Sequence, residues 1–176
     1  MAAWGLLAEY PTPKALREAC ERVRDAGFSR WDAHTPFPVH GLDRAMGMRR
    51  SLLPWIILVL GLGGAATGFA LQWWVHAKAY PLVISGKPYF SWPAYIPITF
   101  ELGVLGGALG AVFGMFGLNQ LPRHHHPVFE SERFKRASDD RFFVSIEAAD
   151  PRFDAAATRR LLEDGATAVE TIEDPA

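Results

Sequence analysis

Two long apolar blocks constrain this chain more than anything else in it. The first, Leu52 to Val75, reads LLPWIILVLGLGGAATGFALQWWV and holds no charged residue. The second, Ile96 to Leu118, reads IPITFELGVLGGALGAVFGMFGL and holds one, Glu101. A helix rises about 1.5 Å per residue and a bilayer core is about 30 Å thick, so roughly 20 apolar residues span it. Each block meets that length, and a chain of 176 residues is too small to wrap two such helices in a soluble core. The blocks therefore read as a transmembrane hairpin. Pro54 and Pro97 fall in the first turn of each helix, where a missing N–H costs little. Trp55, Trp73 and Trp74 stand at the ends of the first helix, and Trp92 and Tyr95 stand just before the second. Such rings favour the headgroup level, and all five are expected to be interfacial anchors.

Charge orients the hairpin. Arg44, Arg49 and Arg50 precede it, and Arg123, Arg133, Lys135 and Arg136 follow it, whereas the connecting loop carries only Lys78 and Lys87. The positive-inside rule puts both termini in the cytoplasm and the loop outside, a multi-pass arrangement. Expected segments are a cytoplasmic half over 1–50, transmembrane helices over 51–75 and 96–118 with a periplasmic loop over 76–95 between them, a cytoplasmic linker over 119–140, and a second cytoplasmic half over 141–176. Residues 1–10 lack a positive n-region, so no secretory signal is expected there.

Small residues mark how the hairpin packs. Gly64 and Gly68 lie four apart on the first helix. On the second, Gly103, Gly107 and Ala111 make one ridge, and Gly106, Gly110 and Gly114 a neighbouring one. Close backbone approach drives association in lipid, so these are helix-packing positions. One ridge serves the hairpin, and the other is expected to serve a helix from another protein. Glu101 is the sharpest polar feature of the spans. A carboxylate there is costly unless it is paired, protonated or close to the interface. It reads either as a proton or quinone-site group or as a structural contact to another subunit.

The soluble segments repeat one pattern. Trp4 to Glu9 is a short strand; Thr12 caps a helix that begins with Pro13 and places Leu16, Ala19, Cys20 and Val23 on one face; Gly27 ends it; a strand follows near 29–34. After the hairpin, RFFVSIE over 141–147 is a strand, Asp150 and Pro151 are expected to open a helix faced by Phe153, Ala156, Ala157 and Leu161, Gly165 ends it, and TAVETI over 167–172 is the last strand. Two βαβ units give an α+β, ferredoxin-like split domain, with the hairpin inserted between its halves. That requires both halves on one side of the membrane, as the charges independently predict.

No constellation for chemistry emerges. The glycine runs lie inside the apolar helices rather than in a phosphate loop, and the single cysteine, Cys20, excludes a cysteine-ligated cluster and reads as a buried core thiol. His124, His125 and His126 stand consecutively on a proline-flanked loop, a poor arrangement for converging on one ion, and read as a surface or interface segment. A haem site within the chain is not supported. Net charge near −1 gives no sign of a nucleic-acid partner.

Three runs carry a specific resemblance: SGKPYFSWPAYIPITFELGVL over 85–105, HPVFESERFKRASDDRFFVSIEAADPRFD over 126–154, and LLEDGATAVETI over 161–172. With the opening GLLAEYPTPKALREAC, the chain resembles the D subunit of bacterial alternative complex III along essentially its whole length. The resemblance implies a non-catalytic accessory subunit of a respiratory or photosynthetic complex that oxidises quinol. It implies no cofactor in this chain, with haem c and iron–sulfur clusters in partner subunits. The implied partners are polytopic quinol-oxidising membrane subunits, a multihaem cytochrome c subunit, an iron–sulfur subunit and lipid. The alternative reading is a small regulatory membrane protein whose ferredoxin-like domain binds a ligand. An autonomous transporter is poorly served by two helices with one charge.

Overall fold

The computed structural model describes residues 3–173. The chain divides into two units: residues 1–49 together with 124–176, and residues 50–123.

The first unit is built on a four-stranded sheet. β1 spans Ala3–Tyr10, β2 Trp31–His34, β3 Phe142–Glu147 and β4 Ala168–Glu173. The strand order is β2-β3-β1-β4, and every neighbouring pair is antiparallel. β1 lies between β3 and β4, so the two stretches of chain on either side of the apolar blocks interleave in one sheet. Helix α1, Pro13–Asp25, starts as its sequence dictates: the Thr12 hydroxyl accepts from the Ala15 N–H at 3.2 Å, and Leu16, Ala19, Cys20 and Val23 are buried. A short helix α2, Leu42–Met46, follows β2, and α5, Ala155–Glu163, connects β3 to β4.

The main core forms where alternation along the strands meets the helices. Leu6, Ala8 and Tyr10 of β1 and Phe142, Val144 and Ile146 of β3 share one face with Leu16, Val23 and Leu162. Burying a Leu- or Val-sized side chain contributes about 1.5–3 kcal/mol, so this layer supplies much of what offsets chain entropy. The Tyr10 hydroxyl donates to the Leu162 carbonyl at 2.8 Å, which gives a buried polar group its partner.

Two expectations are corrected here. The second helix is shorter than its counterpart and begins later: Asp154, not Asp150, is its cap, accepting from the N–H groups of Ala156 and Ala157 at 3.1 and 2.8 Å. Its buried residues are Thr158 and Leu162. Asp150 is held elsewhere. Its Oδ2 accepts from the backbone N–H groups of Ser29 and Arg30, both at 2.7 Å, and from the Ser29 hydroxyl at 3.0 Å. These bonds tie the chain before the apolar blocks to the chain after them.

The second correction concerns the segment expected as a linker over 119–140. From His126 it packs against the sheet face opposite α1 and α5, through 3-10 turns at Pro127–Glu130 and Arg133–Ser138. There Val128 and Phe134 join Leu7, Phe143 and Ile172 in a second buried cluster, flanked by Trp4 and Ala137. The reason is simple: those sheet residues are apolar and need a cover that no second helix layer provides.

The second unit is a helical hairpin of α3, Leu53–Trp74, and α4, Ile96–Leu118. A π-helical turn, Val75–Ala79, extends α3, and a 3-10 turn, Trp92–Tyr95, leads into α4. Both helices are long and apolar enough to cross a membrane, and only 6% of each apolar window is buried within the chain. Their outer side chains are therefore left for another medium to cover.

Candidate functional site

The hairpin interface is made by glycine. A Cβ added to Gly64 would land on the Leu102 carbonyl, and one added to Gly106 would land on the Leu60 carbonyl. At Gly68 it would lie 3.1 Å from Leu102 Cδ1, at Gly110 3.1 Å from Leu60 Cδ1, and at Gly114 2.8 Å from Leu53 Cδ1. Gly103 faces Ala65, and Gly107 lies at the margin, 3.8 Å from Ile57 Cγ2 by the same measure. Both glycine ridges of α4 thus meet α3, because α3 settles into the shallow channel between them. The expectation that one ridge would remain for a further helix is corrected: the glycines without a neighbour within 4 Å in the two helices are Gly63 and Gly117. Gly61, Gly103 and Gly107 also floor an apolar groove of about 560 Å³ that Phe69, Trp92 and Phe100 border.

At the loop end, one polar clamp joins the helices. Gln72 is buried, and its amide donates to the carbonyls of Gly68 at 3.1 Å and Tyr95 at 3.0 Å. Tyr95 is 1% exposed and donates its hydroxyl to the Tyr89 carbonyl at 3.0 Å. Its ring contacts Phe69, Phe90 and His76. Tyr95 is therefore a buried keystone rather than an interfacial anchor, because the loop folds back over it. Trp55, Trp73, Trp74 and Trp92 are exposed. Sequence reading missed Gln72; a lone amide inside an apolar block is the signal that was available.

Glu101 is exposed and makes no hydrogen bond or ion pair with this chain's described residues. At about 100° per residue it lies roughly opposite Gly103 on the helix, away from α3. Phe100, Val104, Leu105 and Val112, all apolar, are exposed around it.

In the sheet unit, Glu9 is buried and ringed by cations: Arg133 at 3.2 Å, Arg141 at 3.4 Å and Arg136 at 3.9 Å. Arg136 also holds Asp140, and that bond lowers the Asp140 pKa from its ordinary value. Four hydrogen bonds to Asp150, three of them from backbone N–H groups, outweigh its desolvation and hold its pKa at about 2. Cys20 is fully buried and its thiol is pushed up to about 12 by desolvation, so it is not a nucleophile at neutral pH. The three consecutive histidines diverge: His124 is exposed, His125 faces Glu130 at 3.5 Å, and His126 packs edge-on against Trp4 with ring centroids 5.0 Å apart. Among the described residues, no group of three or more His, Cys, Asp or Glu side chains is placed to hold a metal ion.

A mixed α/β unit joined to two long apolar helices fits a membrane-associated protein, and the family it matches supports a non-catalytic accessory role in a membrane complex. The family model described as "Alternative complex III, ActD subunit" matches residues 4–171, and the chain belongs to that family. No curated protein sequence matches the chain.

Proposed function

We propose that the chain anchors and braces the membrane core of a quinol-oxidising electron-transfer complex from the cytoplasmic side. The observation that carries this reading is the placement of β1 between β3 and β4. Strands that precede the hairpin pair with strands that follow it, so a hairpin that crosses a membrane must return both ends to one face. The arginines at those ends, Arg49, Arg50 and Arg123, support the cytoplasm as that face. On this reading the sheet unit is a ferredoxin-like domain split by the two spans, with the expected segments over 1–50, 51–75, 76–95, 96–118 and 141–176. Electrons travel through haem c and iron–sulfur clusters of partner subunits, and this chain supplies none of the carriers.

Glu101 is the group proposed to meet a partner. A carboxylate facing lipid costs about 2.5–3.5 kcal/mol at the centre of a span on insertion scales, so it calls for a donor from a neighbouring polytopic subunit. The face around it is apolar and exposed, as a helix-docking surface requires. A structural contact fits this outward placement better than a proton site within the chain.

Mild-detergent purification from native membranes tests the reading. Haem and iron–sulfur subunits with quinol oxidation activity should accompany the chain in fixed stoichiometry, and recovery of the chain alone would refute it. Topology is tested separately with cysteine at Val83, which is exposed in the loop, and at His124. An impermeant maleimide applied to spheroplasts should label the first and spare the second; Cys20 stays silent because it is buried. Glu101→Gln should weaken retention of the subunit in the complex. Full retention with slowed turnover would instead favour a proton or quinone role.

A further inference from the structure

The sheet face beneath residues 126–138 is an unusual surface to cover. It presents Leu7, Phe143 and Ile172, but also Glu9 of β1, Asp32 and His34 of β2, Ser145 of β3 and Glu170 of β4, since these alternate with the residues of the main core. The covering segment pairs with no strand. Side chains hold it. Arg133 and Arg136 reach Glu9, the Ser131 hydroxyl bonds to Glu170, Phe134 packs on Phe143 with centroids 5.5 Å apart, and His126 packs on Trp4.

At one end of this cover sits His34. Its ring meets Phe134 edge-on, with centroids 4.9 Å apart and planes at 89°, and its Nε2 lies 3.0 Å from the Ser145 hydroxyl. Ser145 is itself buried. We propose that residues 126–138 form a strap that closes over the sheet while His34 is neutral and lifts when His34 takes up a proton. A neutral imidazole satisfies its polar edge at Ser145 and offers an apolar face to Phe134. An imidazolium in the same place is a charge withdrawn from water without an ion pair among the described residues, and lifting the strap, whose Phe134 packs on it, lets water return.

The charged surroundings act in both directions. Desolvation lowers the His34 pKa below its ordinary value, Asp32 on its own strand opposes that, and His126 on the strap adds to the lowering through like charge. Glu9 and Glu170 are engaged with Arg133, Arg136, Arg141 and Ser131 rather than with His34. A group whose pKa is depressed in the closed state stabilises that state fully above its unfolded value, near 6.5, and progressively less as pH falls below it. The strap is thus tight at pH 7.5 and loosened toward pH 5.5. Ordinary carboxylates titrate at about 4, below that window.

Hydrogen exchange read by mass spectrometry on the full-length protein in detergent tests this, with rates corrected for the intrinsic effect of pH. Peptides covering 127–138 should lose protection between pH 7.5 and 5.5. Peptides of β1 and β3 should keep theirs. In His34→Gln the strap should exchange equally at both pH values. Unchanged strap protection in the native protein, a loss shared by β1 and β3, or a loss that persists in His34→Gln overturns the proposal. If His34→Gln is unfolded at pH 7.5, His34→Phe decides, because it keeps a ring against Phe134 and cannot titrate: its strap should exchange equally at both pH values, and a loss of protection at pH 5.5 overturns the proposal.

Discussion

Asp150 illustrates how one residue can serve two distant stretches of chain. Its Oδ2 caps the backbone of Ser29 and Arg30, more than a hundred positions earlier, while Oδ1 accepts from Arg152 at 2.8 Å. Hydrogen bonds to a charged group contribute about 1.5–3 kcal/mol each at most, and orphaning buried donors is costly, so Asp150→Ala should destabilise the sheet unit by about 2–4 kcal/mol in urea melts. The pH sign follows from its pKa of about 2. Asp150 binds fewer protons folded than unfolded, so its stabilisation is complete above the ordinary carboxylate value and is lost as pH falls toward 2. Melts between pH 5 and pH 2 should show a decline that Asp150→Asn flattens. Gln72 is the hairpin's counterpart. Interhelical hydrogen bonds in lipid average about 0.6 kcal/mol with a maximum near 1.7, so Gln72→Leu should lower hairpin stability within that range. Thermal melting in detergent measures it.

At the scale of elements, the two apolar helices depend on backbone approach more than on hydrophobicity. Gly64→Ala and Gly106→Ala each drive a methyl into a carbonyl of the opposite helix. Such overpacking costs about 1–3 kcal/mol. Gly63→Ala meets open space and should be neutral or slightly stabilising, since alanine is about 1 kcal/mol better than glycine within a helix. Comparing melting temperatures of these variants separates steric packing from propensity. The elements themselves were largely legible. Thr12–Pro13 and the spacing of Leu16, Ala19, Cys20 and Val23 announced α1, and the apolar run ahead of Asn119 announced α4. Asp150–Pro151 was misleading, because a cap-like Asp before Pro also suits a turn. Only the later Asp154, with Ala155, Ala156 and Ala157 behind it, has helix N–H groups to receive.

The whole molecule is held together by interleaving. Since β1 needs β3 on one side and β4 on the other, residues 1–49 alone cannot complete the sheet. Both cores of the sheet unit draw only on its own residues. A fusion of residues 1–49 to 124–176 through a short Gly-Ser linker should therefore melt cooperatively as a soluble domain. Residues 1–49 by themselves should show no cooperative transition, and circular dichroism distinguishes the two. Sequence alone determined the two long apolar helices, the charge asymmetry of their flanks and the paired strand–helix–strand pattern, because each rests on local periodicity or composition. Only the tertiary structure decided that both glycine ridges serve one interface, that Tyr95 is buried and that residues 126–138 cover the sheet. HPVFESERFKRAS has no helical or strand period to betray that role. Its conformation is set by the apolar face it covers and by Glu9, which are residues distant in the chain and adjacent only once the sheet has formed.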